Sequence, residues 1–446
     1  MQFTLPLPVR QLIARLESAG YEAYAVGGCV RDMLCGRLPQ DWDLCTSALP
    51  EETKACFADC TVLTMGEKHG TVTILWEGKP YEVTTYREDG EYGDCRRPDH
   101  VTFVRSLRED LRRRDFTVNA MAYHPQRGLA DPWGGAADLH NGILRCVGNP
   151  EKRFSEDALR ILRGMRFAAC YRLKIEDETA AAAVRLAPLL HRIAAERVDA
   201  EMQKLLMAEG DAAAQVFRAY PSVWNEIFPE FREMQTCAQH NPYHQYDVWE
   251  HTLHVLAATP RDRVLRWAAL FHDMGKPRTK CTDADGIDHF YGHAAVSADM
   301  ARQILHRLHA DRDCIHTVCT LVKYHDVPLH ESSRAMRRML SDLGESTMRR
   351  LIQLKIADDA GKASGVLEKR RSGWLAAQAC LEQLVAENAC LHIRDLAING
   401  KDLMALGVPQ GEQIGKILQQ LLDAVLDEKL SNEREILLAE VRRILQ

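Results

Sequence analysis

The sequence predicts an α+β chain, with a mixed sheet and its helices in the first 148 residues and an all-helical remainder. Three observations carry this. Short runs rich in Val, Ile, Thr and Tyr alternate with helical periodicity up to about residue 148, as strands and helices of one mixed layer do. From Phe154 onward, helical periodicity recurs with polar breaks of a few residues, and no internal repeat or low-complexity linker intervenes. The length, 446 residues with 46% apolar and 27% charged, allows a sizeable core divided among domains and excludes a disulfide miniprotein, a coiled coil or a disordered tail.

Taken in order, Pro8 to Ser18 reads as a helix opened by proline and closed by Gly20. Tyr21 to Val26 is a strand, Gly27-Gly28 a tight turn, and Cys29 to Cys35 the helix that follows. Asp41 to Cys45, Thr71 to Trp76 and Pro80 to Tyr86 are further strands. Ala158 to Cys170, Ala195 to Met207, Val248 to Leu256 and Val264 to Phe271 are helices, the last closed by Gly275 and Pro277, and Asn399 to Gln446 is more helix. The proline-bearing stretch from Pro221 to Pro242 lacks a clean period and marks a domain boundary. The resulting division is 1–148, 149–235, 236–365 and 366–446.

Charge is nearly balanced, 57 basic against 63 acidic residues, so the total of −6 advertises no nucleic-acid partner, though a basic stripe can hide in such a sum. The 14 cysteines are scattered without a C-x-x-C pair, the N-terminus has no signal-peptide run, and no apolar stretch is long enough to span a membrane. A cytoplasmic protein with reduced thiols is expected. Twelve of the 18 histidines fall between His240 and His330, which points to a metal or acid–base site confined to one domain.

Two constellations carry chemistry. In Val26-Gly27-Gly28-Cys29-Val30-Arg31-Asp32 a glycine pair between strand and helix lets backbone approach a phosphate. Asp41 and Asp43 follow, one pleat apart on one strand face, and Glu82 lies in a neighbouring strand. Carboxylates so grouped hold hard divalent cations and suit two-metal phosphoryl-type transfer. Farther on, Asp157 and Arg160 stand three apart on a predicted helix, an acceptor beside donors. Cytosine and adenine both offer an amine next to a ring acceptor, whereas guanine and uracil reverse that order, so one such pair can admit C and A without a template. The same segment also reads as a helix start capped by Ser155, with Glu156 and Asp157 at its positive end.

These motifs, with Gly66-Glu67-Lys68-His69-Gly70-Thr71-Val72, Arg114-Asp115-Phe116-Thr117-Val118-Asn119-Ala120, Asp131-Pro132-Trp133-Gly134-Gly135, Glu156-Asp157-Ala158-Leu159-Arg160 and Glu196-Arg197, resemble the class II tRNA nucleotidyltransferase and bacterial poly(A) polymerase family over about 235 residues. The resemblance implies a nucleotidyltransferase head followed by helical neck, body and tail. It implies Asp41, Asp43 and Glu82 as the catalytic acids, with Mg²⁺ on Asp41 and Asp43. Nucleotide contacts are implied for Gly28, Arg31, Arg114, Asp115, Asn119, Asp157, Arg160, Arg163 and Arg166. Basic residues from Arg105 to Arg114 and at Arg153, Arg160, Arg163 and Arg166 offer a face for tRNA. Gly66 to Thr71 resembles the CCA-adding side of the family rather than the Arg-rich stretch of its poly(A) polymerases, and a loop from Arg87 to Asp99 suits full CCA or A addition.

In the second domain His251 and His254 share a helix face, and His272-Asp273 ends the next helix. This segment resembles the HD phosphohydrolase superfamily, which implies His251, His272, Asp273 and Asp358 as ligands of a transition metal or Mg²⁺. His293 and His325 are candidates for phosphate contact or a second metal. His254, His306, His309, His316 and His330 read as exposed or internally satisfied. The function expected is template-independent CCA addition to tRNA from CTP and ATP, with a possible second phosphohydrolase activity. The alternatives are poly(A) or A-only addition, and a phosphohydrolase whose head only holds RNA.

Overall fold

The computed structural model describes residues 3–90, 101–241, 244–329 and 333–446. The chain forms two units, Met1–Pro229 and Glu230–Gln446. Among the described residues no helix is long and apolar enough to cross a membrane.

The first unit is built on a seven-stranded sheet. Its strands are β1 (Ala23–Val26), β2 (Leu44–Thr46), β3 (Thr61–Leu63), β4 (Thr71–Trp76), β5 (Lys79–Thr85), β8 (Ala122–His124) and β9 (Gly128–Ala130), while β6 (Arg87–Asp89) and β7 (Val101–Phe103) form a separate hairpin. The order is β3-β4-β5-β2-β1-β8-β9, with β2–β5 parallel and the other pairs antiparallel. β1, buried at all four residues, lies inside the sheet between β2 and β8. In β5 the side chains of Tyr81, Val83 and Thr85 are buried, and alternation turns Glu82 to the open face.

Helix α1 (Leu7–Ser18) covers the sheet with Val9, Leu12, Ile13 and Leu16, the apolar stripe its periodicity predicts. Helix α2 (Gly28–Leu34) begins directly after Gly27, whose φ of 77° closes the turn from β1. The segment from Asp131 to Gly135 is organised by the Asp131 carboxylate, which accepts the N–H groups of Gly135 at 2.7 Å and Ala136 at 2.9 Å and so starts the next short helix, Gly135–His140.

Two expectations from the sequence are corrected here. The predicted strand Asp41–Cys45 is shorter and later, Leu44–Thr46, because its partner β1 turns away at Gly27. Only the Asp43 carbonyl still receives a bond, from Val26 N–H at 2.9 Å. The single helix expected to carry both Asp157 and Arg160 is broken in two, α3 (Pro150–Glu156) and α4 (Leu159–Tyr171). Asp157 is extended, with φ −142° and ψ 104°, and its carboxylate accepts the Leu159 N–H at 3.0 Å, starting α4. Ser155 lies inside α3 and caps nothing.

The second unit is helical around α5 (Val248–Ala258), α6 (Arg263–Phe271), α7 (His293–Arg307), α8 (Arg312–Tyr324), α9 (Glu345–Ala360) and α10 (Val366–Ala386). Leu253, Leu256, Trp267, Phe271, Val318, Leu321, Leu351 and Leu354 are buried in it. Helices α5, α6 and α9 pack on one another, α8 packs on α6, α7 and α9, and α10 lies along α9.

At Gly135 an added Cβ would stand 2.1 Å from the Thr117 carbonyl oxygen, which is backbone and cannot swing aside. Gly135→Ala is expected to destabilise the first unit by about 1–3 kcal/mol, the usual cost of overpacking. An unfolding midpoint in urea equal to the wild type's would refute this packing account.

Candidate functional sites

The parallel register Leu44↔Val83 extends one residue back to bring Asp43 beside Glu82 at the end of the sheet where β1 reaches the glycine turn. Asp41, Asp43 and Glu82 all open to solvent. Surrounding protein nonetheless strips Asp43 of part of its hydration and raises its pKa, and Glu82 and then Asp41 push the same way, opposed by Arg114. Three mutually repelling carboxylates with oxygen donors suit a divalent cation.

Arg114 lies behind the glycine turn. Its Nη1 stands 2.8 Å from where a Cβ on Gly27 would be, and Nη2 reaches the buried Asp110 carboxylate at 3.4 Å. Asp115 next to it is buried and accepts from the Phe116 N–H at 2.8 Å, from Asn119 at 3.1 Å and from Arg163 Nε at 2.8 Å. Burial opposes ionisation of Asp115, but Arg163 and Asn119 outweigh it and hold the carboxyl well below the usual range. Asn119 Oδ1 in turn accepts from Arg31 at 2.6 Å, and Arg31 pairs with Asp32 at 2.9 Å and with the Tyr171 hydroxyl at 2.5 Å. One polar chain thus runs from α4 through Asp115 and Asn119 to the residues after the glycine turn.

Asp157 and Arg160 do not pair with each other. Asp157 accepts from Arg197 at 2.9 Å, while Arg160 is buried and donates to Glu156 at 2.7 Å, to the Arg153 carbonyl at 3.1 Å and to the Arg113 carbonyl at 3.2 Å. The expected basic face is also modified: Arg153 pairs with Glu156 at 3.0 Å, Arg163 with Asp115, and Arg166 with Glu201 at 2.5 Å, so their charge is largely answered inside the protein. Gly28 opens α2 in front of Arg31. Residues 91–100 of the loop expected between Arg87 and Asp99 lie outside the described residues. Sequence reasoning missed Asp110 and Tyr171, which carry no motif of their own.

In the second unit His251 of α5, His272 at the end of α6, Asp273, and Asp358 of α9 come together. His251 Nε2 is 3.1 Å from Asp358 and 3.4 Å from Asp273, and His272 Nε2 is 3.1 Å from Asp273. His293 and His325 join them, with Nε2 atoms 3.3 and 3.6 Å from the other oxygen of Asp273. All four Nδ1 atoms face backbone carbonyls: Gly361 at 3.0 Å, Ala269 at 2.7 Å, Phe290 at 2.8 Å and Val322 at 2.6 Å. A carbonyl only accepts, so each Nδ1 donates its proton outward and each Nε2 faces the centre, where it can offer a lone pair to a metal. Two pairs of Nε2 atoms then confront one another, at 3.4 Å for His251–His272 and 3.2 Å for His293–His325. Around the Asp273 carboxylate these atoms form two groups that could each hold a metal ion, His251, His272 and Asp273 in one and Asp273, His293 and His325 in the other.

Lysines missed from sequence surround this centre. Lys276 lies 2.7 Å from Asp273, Lys362 donates to Asp358 at 2.6 Å, and Lys355 braces the carbonyls of His325 and Val327. Burial brings Lys355 down to about 8. The other histidines fall as expected: His254 stacks on Tyr246 at 4.3 Å, His306, His309 and His316 are exposed, and His330 lies outside the described residues.

Residues 23–145 match the Poly A polymerase head domain, 172–233 the "Probable RNA and SrmB- binding site of polymerase A", and 286–441 "tRNA nucleotidyltransferase domain 2 putative". A CCA-adding enzyme of Levilactobacillus brevis is 35% identical over 99% of this chain and 98% of its own length. The chain belongs to the CCA-adding enzyme family. Another CCA-adding enzyme, from Enterococcus faecalis, is 33% identical over 96% of this chain and 93% of its own. The crystal structure of the Bacillus stearothermophilus CCA-adding enzyme in complex with CTP aligns with a TM-score of 0.72 and 30% identity over 99% and 98% of the two chains. That of the Thermotoga maritima enzyme complexed with tRNA shares the fold, at a TM-score of 0.58 and 21% identity over 98% and 95%. In this CCA-adding enzyme family member, the head-domain match contains Asp41, Asp43, Glu82, Arg114 and Asp115. The histidine centre straddles the start of the third match, which takes in His293, His325 and Asp358 but not His251, His272 or Asp273.

Because Asp115 titrates lower in the folded than in the unfolded chain, its stabilising contribution is full above the ordinary carboxylate pKa near 4 and is lost as pH falls below it. Asp115→Asn is expected to cost about 2 kcal/mol at neutral pH, less than a fully buried pair because Arg163 remains partly solvated. The variant's stability is also expected to fall less steeply as pH drops below about 4, where this carboxyl is protonated in the unfolded chain but still ionised in the folded one. Parallel wild-type and variant curves of stability against pH would contradict this.

Proposed function

We infer that this chain adds C, C and A in turn to the 3′ end of tRNA, from CTP and ATP and without a nucleic-acid template, a reading supported by the CCA-adding enzymes it matches over nearly their full length. The observation that carries the chemistry is the convergence of Asp43, Glu82 and Asp41 at the mouth of the glycine turn. Asp41 and Asp43 would hold Mg²⁺, and when bound the metal supplies Lewis-acid stabilisation of the phosphate oxygens. The terminal hydroxyl oxygen of the tRNA bonds to the α-phosphorus, the bond to the bridging oxygen breaks, and pyrophosphate leaves. Gly27-Gly28 lets the triphosphate approach the backbone, and Arg31 and Arg114 supply positive charge beside it. Asp115, Asn119, Arg163 and Arg166 act as positioning residues, since their polar groups engage one another and Glu201.

Asp157 and Arg160 read the base, Asp157 accepting from the amine of C or A and Arg160 donating to the adjacent ring nitrogen. They do so from opposite sides of a helix break, each steered by other partners. The free thiols of all the described cysteines agree with a cytoplasmic setting.

A second reading is favoured by the histidine centre. His251, His272, Asp273 and Asp358 would hold one metal ion, His293 and His325 a second with Asp273 shared, and the ions when bound supply the Lewis-acid chemistry of phosphate-ester hydrolysis. Lys276 and Lys362 stand ready to steer an anionic ester to this place.

Asp43→Ala is expected to abolish nucleotide addition while the far-UV spectrum is kept. On tRNA lacking its 3′ terminus, CTP with ATP should restore CCA in the wild type; A-only addition or long A tracts would replace this reading with an A-adding enzyme or a polymerase. For the second centre, a protein with Asp41 and Asp43 replaced by Ala should retain two Mn²⁺ ions per chain by elemental analysis. Asp273→Asn should lose both, and retention of both would rule out a shared carboxylate.

A further inference from the structure

Two cavities meet at the histidine centre. One, of about 620 Å³, extends toward α10, and the other, of about 340 Å³, extends toward the segment before α7. Asp358, Lys362 and His325 stand in the walls of both, so the two spaces adjoin at the metal-ligand cluster and lead away from it in two directions. Each space has a large aromatic ring in its wall. In the larger, Trp374 is held by its Nε1–H donating to Asp359 at 2.9 Å, and the same carboxylate accepts from Arg370 at 3.0 Å. In the smaller, Tyr291 is 75% exposed and lies parallel to the His289 ring, 5.3 Å between centroids and 6° between planes, while His289 is tied to Asp283 at 2.8 Å. A large aromatic so exposed, and kept flat by a neighbour rather than by a core, is suited to stack on another planar group.

An ester of phosphoric acid with one organic group would fill one space and leave the other to water. We propose that this centre takes a phosphodiester joining two nucleosides, its phosphate beside Lys276 and Lys362, one base against Trp374 and the other against Tyr291. The proposal rests on the phosphohydrolase reading and narrows it from phosphate esters at large to a two-sided substrate. Hydrolysis consumes one water: its oxygen forms the new bond to phosphorus, the bond to one nucleoside oxygen breaks, and that oxygen leaves with a proton from the water. Neither aromatic residue touches the reacting atoms, so both are specificity-determining rather than catalytic.

The test uses the full chain loaded with Mn²⁺. The binding probe is an adenosine dinucleotide analogue with carbon in place of both bridging oxygens, which cannot be hydrolysed, and its affinity is read by calorimetry. Trp374→Ala and Tyr291→Ala should each weaken binding about tenfold, the size of one lost base stack, while Trp374→Phe and Tyr291→Phe should keep most of it. In turnover, the natural dinucleotide should be cleaved faster than 3′-AMP or 5′-AMP. A short single-stranded RNA cut as well as the dinucleotide would name RNA as the source of the linkage, and cleavage of the dinucleotide alone would name a free dinucleotide; either supports the proposal. Wild-type affinity in both alanine variants, or hydrolysis of the mononucleotides but not the dinucleotide, overturns it. Failure to retain Mn²⁺ would instead remove the phosphohydrolase reading beneath it, and metal analysis separates the two failures.

Discussion

The ion pair of Asp115 with Arg163 is the contact on which the first unit's site depends. It ties α4 to the segment after Arg114, and one chain of polar contacts continues from it: Asn119 beside Asp115, Arg31 beside Asn119, then Asp32 and Tyr171. A buried carboxylate is costly unless its lone pairs are answered, and here an arginine, an amide and a backbone N–H answer them. The satisfied network fixes where α4 can sit, and α4 carries Arg160. Arg160 and Arg31, proposed to read the base and to sit beside the triphosphate, therefore share one support.

The second unit repeats the logic with a different centre. Asp273 is shared by two groups of histidines from four helices or their ends, and each ring is locked in one tautomer by a carbonyl of its own neighbourhood. The rings are oriented before any ligand arrives, so little side-chain entropy remains to be lost on binding.

Much of this was legible in the sequence, and the residues show where legibility ends. Thr71–Trp76 was read to the residue because its alternation, Val72 and Ile74 in, is a purely local signal. Asp41–Cys45 was not, since a strand's length depends on its partner, and β1 leaves at Gly27. The helix break at Asp157 escaped because apolar periodicity continues on both sides of it, and what interrupts it is one carboxylate turning back to Leu159. The histidine cluster was legible because His272-Asp273 is a compact motif, and Asp358 came with the resemblance. That His293 and His325 meet the opposite oxygen of the same aspartate is a matter of helix packing, invisible to spacing. Tyr171, 140 residues from Arg31, had no signal at all.

The missing side chain of Gly27 has a consequence for how this protein can vary. The place a methyl group would occupy is held by the Arg114 guanidinium, and the left-handed backbone there already excludes most residues. Position 27 is thus tied to position 114 as well as to its own turn. In a library randomised at both, glycine should be demanded at 27 throughout, because giving up the arginine frees the space but leaves the backbone conformation that only glycine adopts without strain.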